Sequence, residues 1–192
     1  MTTSPLHASD DRAANIRAAA LGVFAEHGFR RTSMAMIAEA VGVSRPALYQ
    51  YYDNREDVFR AVIADAYNSA AHRALEALHE HEHLATALDV FLQRAHADGY
   101  HELSMLKHRD EILEASGSVA SGEAAAGIAR MHAGLRVRLL ATGAPLDLVE
   151  RAVTLLALAP GGLKSDEPDS STLRERLRDL AEAVAALIDH SQ

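Results

Sequence analysis

Apolar residues recur three and four positions apart along almost the whole chain, the spacing of helices with one buried face, and strict alternation is nowhere sustained. Ile16, Ala20, Val23 and Phe24 share one face of a helix expected from about Asp11 to His27, and Gly28 ends it as a residue tolerant of the left-handed conformation. Phe29 then folds back as core. Thr32 and Ser33 offer capping hydroxyls to a second short helix whose Met36, Ile37 and Ala40 point inward, and Gly42 closes it at a turn. Ser44 caps a third helix with Pro46 in its first turn, where the missing N–H has no intrahelical partner to lose. Leu48 and Tyr52 share its inward face, which turns Pro46, Tyr49 and Gln50 outward and leaves Arg45 and Tyr51 on the flanks. Asn54 caps a fourth helix, with Glu56 and Asp57 in a first turn that favours anions, running to about Leu78.

Further helices are expected at residues 84–97, 100–114, 123–142, 146–158 and 172–189. The breakers between them are Asp98-Gly99, the small-residue run SGSVASG, Gly143-Ala144-Pro145 and PGGLKSDEPDSS. The pattern therefore predicts an all-α chain of about nine helices. A disordered polar tip covers residues 1–10, a three-helix helix-turn-helix domain residues 11–53, and a larger helical domain residues 54–192.

Composition narrows the chemistry. The absence of cysteine excludes a disulfide framework, a thiolate metal site and a cysteine nucleophile, and fits a reducing cytoplasm. The opening MTTSPLHASDD is polar and lacks an apolar signal region, and the amphipathic helix after it is no membrane span, so a cytoplasmic protein without a membrane partner is expected. A formal net charge of −8 argues against indiscriminate nucleic-acid binding. Its distribution changes that conclusion, because residues 12–60 hold seven arginines against five acids, a balance of +2 that leaves −10 for the rest.

Two short helices joined at a glycine, the second presented outward, suit a reader of the DNA major groove, where each base pair shows a distinct pattern of donors and acceptors. Arg45 can bond guanine and Gln50 adenine or phosphate; Pro46 and Ala47 can touch a thymine methyl, and Tyr49 and Tyr51 can bond phosphates. Thr32, Ser33 and Arg55 sit at helix N-termini, where donors and the dipole favour phosphate. The stretch from about Ala14 to Val62 closely resembles the N-terminal DNA-binding domain of the TetR family of bacterial transcription regulators. The matching positions are Gly28-Phe29, Thr32-Ser33, Ile37-Ala38, Gly42-Val43-Ser44, Leu48-Tyr49, Tyr51-Tyr52 and Arg55-Glu56. Departures are Pro46 for a frequent glycine, Tyr51 for a histidine, Tyr52 for a phenylalanine and Arg55 for a lysine; the first bears on base preference. The resemblance implies a homodimer with a short DNA-binding domain and a larger domain for ligand binding and dimerisation. It further implies a repressor that binds a palindromic double-stranded DNA operator and is released by a small-molecule effector.

Leu173, Leu177, Leu180, Val184 and Leu187 form a heptad stripe near the C-terminus, and Leu146, Val149, Val153 and Leu156 repeat it in the preceding helix. Spacing alone fits a monomer core as well as a dimer seam. The resemblance favours the seam, since this family dimerises through its last two helices. It also implies an effector pocket, for which Phe91, His96, Tyr100, Leu103, His108, Ile112 and Met131 combine apolar bulk with polar tips. Among eleven histidines, His79-Glu80-His81-Glu82-His83 formally matches H-E-x-x-H, in which His79 and His83 would hold zinc if one helix carried both. Its polar neighbours and its place at a helix boundary argue against a metalloprotease. A metal-responsive regulator and a helical adaptor that has lost DNA binding remain as alternatives. No glycine-rich phosphate loop or nucleophile elbow stands out, so neither catalysis nor a cofactor is expected.

Overall fold

The computed structural model describes residues 5–191, with side chains from residue 11. The helices are α1 (Pro5–His27), α2 (Met34–Val41), α3 (Arg45–Leu48), α4 (Arg55–Glu80), α5 (Leu84–Leu92), α6 (Asp98–Ser104), α7 (Arg109–Val119), α8 (Ser121–Leu140), α9 (Leu146–Leu163) and α10 (Ser170–Asp189). No strand occurs among the described residues, and the chain is all-α as expected. Helix α1 begins before Asp11; residues 1–4 of the expected tip lie outside the described residues.

Contacts divide the chain into two units that cross the expected boundary after Asp53. The first takes residues 1–67 together with 105–125, and the second takes 68–104 and 126–192. Helix α4 thus contributes to both, and α7 belongs with the N-terminal helices.

In the first unit Ile16, Ala20, Phe24, Ile37, Leu48, Val58 and Phe59 are buried around an aromatic trio. The Phe59 ring stands 5.0 Å from Phe24, edge to face, and 4.8 Å from Phe29, separations at which the positive ring edge meets the negative face. The inward face of α2 is Met34, Ile37 and Ala38, whereas Met36 is half-buried and Ala40 exposed. The physical reason is the cap: Ser33 accepts the Met36 N–H, so the helix begins at Met34 and its buried face begins there too. Gly28 has φ +78°, and a Cβ on it would stand 2.6 Å from a carboxylate oxygen of Glu111 in α7.

In the second unit α10 lies along α5 and α9, burying Leu88, Leu92, Val149, Leu156, Leu173, Leu177 and Ile188. Helix α5 does not stop before Asp98-Gly99. It passes through a π-helical turn over Gln93–Ala97 directly into α6, and the break falls instead after Ser104. In the first unit the run SGSVASG is also largely helical, interrupted at Ala120. Ser116 and Ser118 turn their hydroxyls back to the carbonyls of Ile112 and Glu114, while Ile112, Ala115 and Ala120 are buried; packing outweighs the weak helix preference of serine and glycine. Helix α9 likewise continues through buried Pro160 and two glycines to Leu163.

The turn at Gly28 yields a stability prediction. Gly28→Ala should lower the unfolding free energy by about 1–2 kcal/mol, the penalty of a left-handed alanine, read as a lower urea midpoint at unchanged slope. An unchanged midpoint would show that the turn relaxes without penalty.

Candidate nucleic-acid interface

The outer face of the first unit is built on two capped turns. Gly42, at φ 76°, closes α2 by donating to Glu39, and the next N–H, of Val43, bonds the Ala38 carbonyl. Ser44 accepts the Ala47 N–H at 3.3 Å and starts α3, a single turn with proline near its start. Tyr49 to Tyr51 continue as a hydrogen-bonded turn, Tyr51 donating its N–H to Leu48 at 3.0 Å. Leu48 is fully buried and Tyr52 nearly so, and these two side chains fix which way the segment faces. Arg45, Pro46, Tyr49 and Gln50 consequently stand exposed, with Ala47 and Tyr51 half-buried beside them.

The other expected contacts have different surroundings. Thr32 is buried, and its hydroxyl donates to the Gly28 carbonyl at 2.7 Å, closing the turn after α1 instead of facing solvent. Ser33 is exposed but committed to capping α2. Arg55 donates from Nη1 to the carbonyls of Arg30 (2.9 Å) and Thr32 (3.2 Å) and from Nη2 to Glu56 (2.7 Å). Its guanidinium carbon stands 4.4 Å from the centroid of the Phe29 ring, a cation–π contact. Side-chain bonding to Arg55 holds the Glu56 carboxyl below the usual carboxylate range. Arg55 therefore braces the turn between α1 and α2, a role that its position at a helix start did not reveal.

The neighbouring cations are occupied as well. Arg30 pairs with Glu114 at 2.7 Å, and its backbone N–H bonds Glu111. Arg31 reaches the His27 carbonyl at 3.0 Å and His108 Nε2 at 2.8 Å. Arg17 bonds Asp65 and, at 3.4 Å, the Tyr52 hydroxyl. The Arg45 guanidinium, by contrast, has no ion pair with a described residue. Glu111 and Glu114 lie more than eighty residues from the turn they hold, so no local pattern pointed to them.

In the second unit Phe91, His96 and Met131 line one small cavity. Tyr100 instead donates its hydroxyl to the Pro168 carbonyl at 3.2 Å, and Leu103 is half-buried away from that lining. His108 and Ile112 belong to the first unit and do not join the cavity. His79 lies in the last turn of α4 while His83 is the N-cap of α5, so the H-E-x-x-H spacing spans a break and loses its shared helical face. No group of three or more potential ligands converges among the described residues. Most of the two heptad stripes faces inward: Val149, Val153, Leu156, Leu173, Leu177 and Val184 are buried in this unit's own core, Leu180 is partly buried, and Leu146 and Leu187 stand exposed. Packing of α10 against α5 and α9 covers the buried positions of the two stripes within this unit. No described helix is long and apolar enough to cross a membrane.

Residues 16–62 match the family described as bacterial regulatory proteins, tetR family. Over 44 residues the chain is 43% identical to the HTH-type transcriptional repressor ComR of Escherichia coli K12, covering 23% of this chain and 21% of that protein. Over 83 residues it is 32% identical to the HTH-type transcriptional regulator YfiR of Bacillus subtilis 168, covering 43% and 40%. These alignments span less than half the length of either relative. The fold extends further: a crystal structure of a TetR-family transcriptional regulator from Mesorhizobium loti MAFF303099 superposes with a TM-score of 0.68 at 20% identity, covering 93% of this chain and 96% of that one. With its capped helix-turn-helix inside the stretch that matches the tetR family, and its fold shared over nearly its whole length with a solved TetR-family structure, the chain carries a TetR-type N-terminal segment on a TetR-like all-α fold.

Proposed function

We propose that this protein is a DNA-binding transcriptional repressor that acts as a homodimer on a palindromic operator and leaves it when the second unit takes up a small-molecule effector. The observation that carries the reading is the exposed row Arg45, Pro46, Tyr49 and Gln50, held outward by buried Leu48 and Tyr52. An arginine without an ion-pair partner and an exposed glutamine on the second helix of such a motif have the chemistry of base readout. Ala47 and Tyr51 flank that row, with Ser33 at the N-terminus of α2. Thr32 and Arg55 act behind the surface, by fixing the turn that orients it. His79 and His83 stand on separate elements, so the H-E-x-x-H spacing adds nothing to a metal-responsive version, which would need other central histidines.

The dimer surface is assigned to side chains that the monomer leaves exposed. Leu155 and Leu158 share one side of α9, and Leu187 stands with exposed Ala183 and Ala186 on α10. These residues, rather than the buried heptad positions, are available to a second copy. A two-fold pair would present two reading helices about 34 Å apart or a multiple of it, one or more turns of DNA.

In binding assays with DNA from around the gene itself, Arg45→Ala and Gln50→Ala should each weaken specific binding about five- to 150-fold and alter base preference, with unchanged thermal stability. Arg55→Ala should instead lower the melting temperature and retain the base preference. Wild-type affinity and preference in both outward variants would remove the assignment of the reading face. For the dimer, the double substitution Leu158→Glu, Leu187→Glu should give a folded monomer by light scattering, because a symmetric apolar contact would have to bury unpaired carboxylates. A dimer persisting in that variant would move the interface elsewhere.

A further inference from the structure

The cavity in the second unit has a chemical bias. Its volume is about 80 Å³, and Phe91, Met131, Leu135 and Leu156 give it apolar walls, with His96 and His132 as the polar lining. Behind His96 stands Lys164, the residue at the C-terminal end of α9, its Nζ 3.5 Å from His96 Nδ1. An ammonium donating to Nδ1 requires that nitrogen to be unprotonated, so the ring proton resides on Nε2, which is left as a donor. Burial, then Lys164 and His132, push the His96 pKa down to about 3, and burial lowers that of Lys164.

What is missing from this cluster is an acid. Arg136, Arg174 and Arg176 in the same unit are each matched by Glu150, Asp98 and Asp166 within 2.8 Å. Lys164 and His96 have no carboxylate partner among the described residues. A lysine ending a helix can be explained by the helix dipole. That explanation would have Nζ reach the last carbonyls or solvent, yet here it turns toward a half-buried imidazole at a cavity wall. A half-buried cation without a counter-charge is partly desolvated at a cost, and an anion arriving beside it gains what the fold does not supply.

We propose that this cavity binds a small apolar monocarboxylate, its carboxylate accepting from His96 Nε2 under the positive field of Lys164 and its tail packed among Phe91, Met131, Leu135 and Leu156. Space for one water-sized group is about 10–15 Å³ on this measure, so the cavity admits an acid of roughly five to eight non-hydrogen atoms. The proposal rests on the reading of this unit as the effector-binding one, and it names the chemistry of that effector.

Calorimetry on the full-length chain at pH 7.5, without DNA, tests it with acetate, butyrate and the neutral isostere butyramide. Butyrate should bind saturably, about fourfold more tightly for each methylene added from acetate. Butyramide should bind at least tenfold more weakly. Lys164→Met, and separately His96→Leu to guard against one variant failing to fold, should each cost butyrate tenfold or more, with thermal melts reporting that the fold is retained. Equal binding of butyrate and butyramide, equal binding of acetate and butyrate, no saturable butyrate binding, or wild-type affinity in both folded variants would each overturn the proposal. Loss of the regulator reading would appear separately, as absent operator binding by a chain that still takes up butyrate.

Discussion

The Arg55 guanidinium on the Phe29 ring is the contact on which the N-terminal unit depends. It ties together three places that secondary structure alone leaves independent: the carbonyls of the turn after α1, the start of α4, and the aromatic trio of Phe24, Phe29 and Phe59. A planar cation with several fixed donors can do this, whereas a lysine ammonium at the same site would lose the geometry of two carbonyls and a carboxylate served at once. Its Nε is buried without a partner among the described residues, a cost that the remaining bonds and the ring contact offset. The direction in which α3 faces is thus set by groups that are themselves turned inward.

That arrangement changes the meaning of the arginine surplus in residues 12–60. Arg17, Arg30 and Arg55 are engaged by Asp65, Glu114 and Glu56, Arg31 by His108 and a backbone carbonyl, and Arg60 by Asp57. Most of the positive charge is structural, which leaves Arg45 as a cation on the outward face. An acidic chain with so little uncommitted positive charge depends on shape and directed hydrogen bonds more than on bulk attraction to phosphate, and its proposed partner must fit to be held.

Much of this was legible in the sequence, for identifiable reasons. The caps at Ser33, Ser44 and Asn54 are local, each a side chain meeting a backbone N–H three residues away, and so the helix-turn-helix and its outward residues follow from spacing. The buried stripes were legible as apolar but not as to what covers them, because Leu173 and Leu177 look the same to periodicity whether α5 or a second chain lies opposite. Likewise Arg55 and Thr32 have the composition of phosphate ligands, and only the distant carbonyls of the folded turn reveal them as braces. The serine- and glycine-rich run after Glu114 misled in the other direction, since its helicity comes from burial of Ala115 and Ala120, which no local preference encodes.

The membership of residues 105–125 in the first unit has a consequence for how the molecule can be taken apart. The chain leaves that unit after Tyr67, returns at Met105 and leaves again after Ala125. A fragment ending at Tyr67 would carry every outward residue of α3 but none of Glu111, Glu114 or His108, exposing the Gly28 turn and two arginines that the intact chain satisfies. The proposed reading face is therefore not a detachable cassette: grafting it onto another scaffold means grafting a second, discontinuous piece of sequence with it.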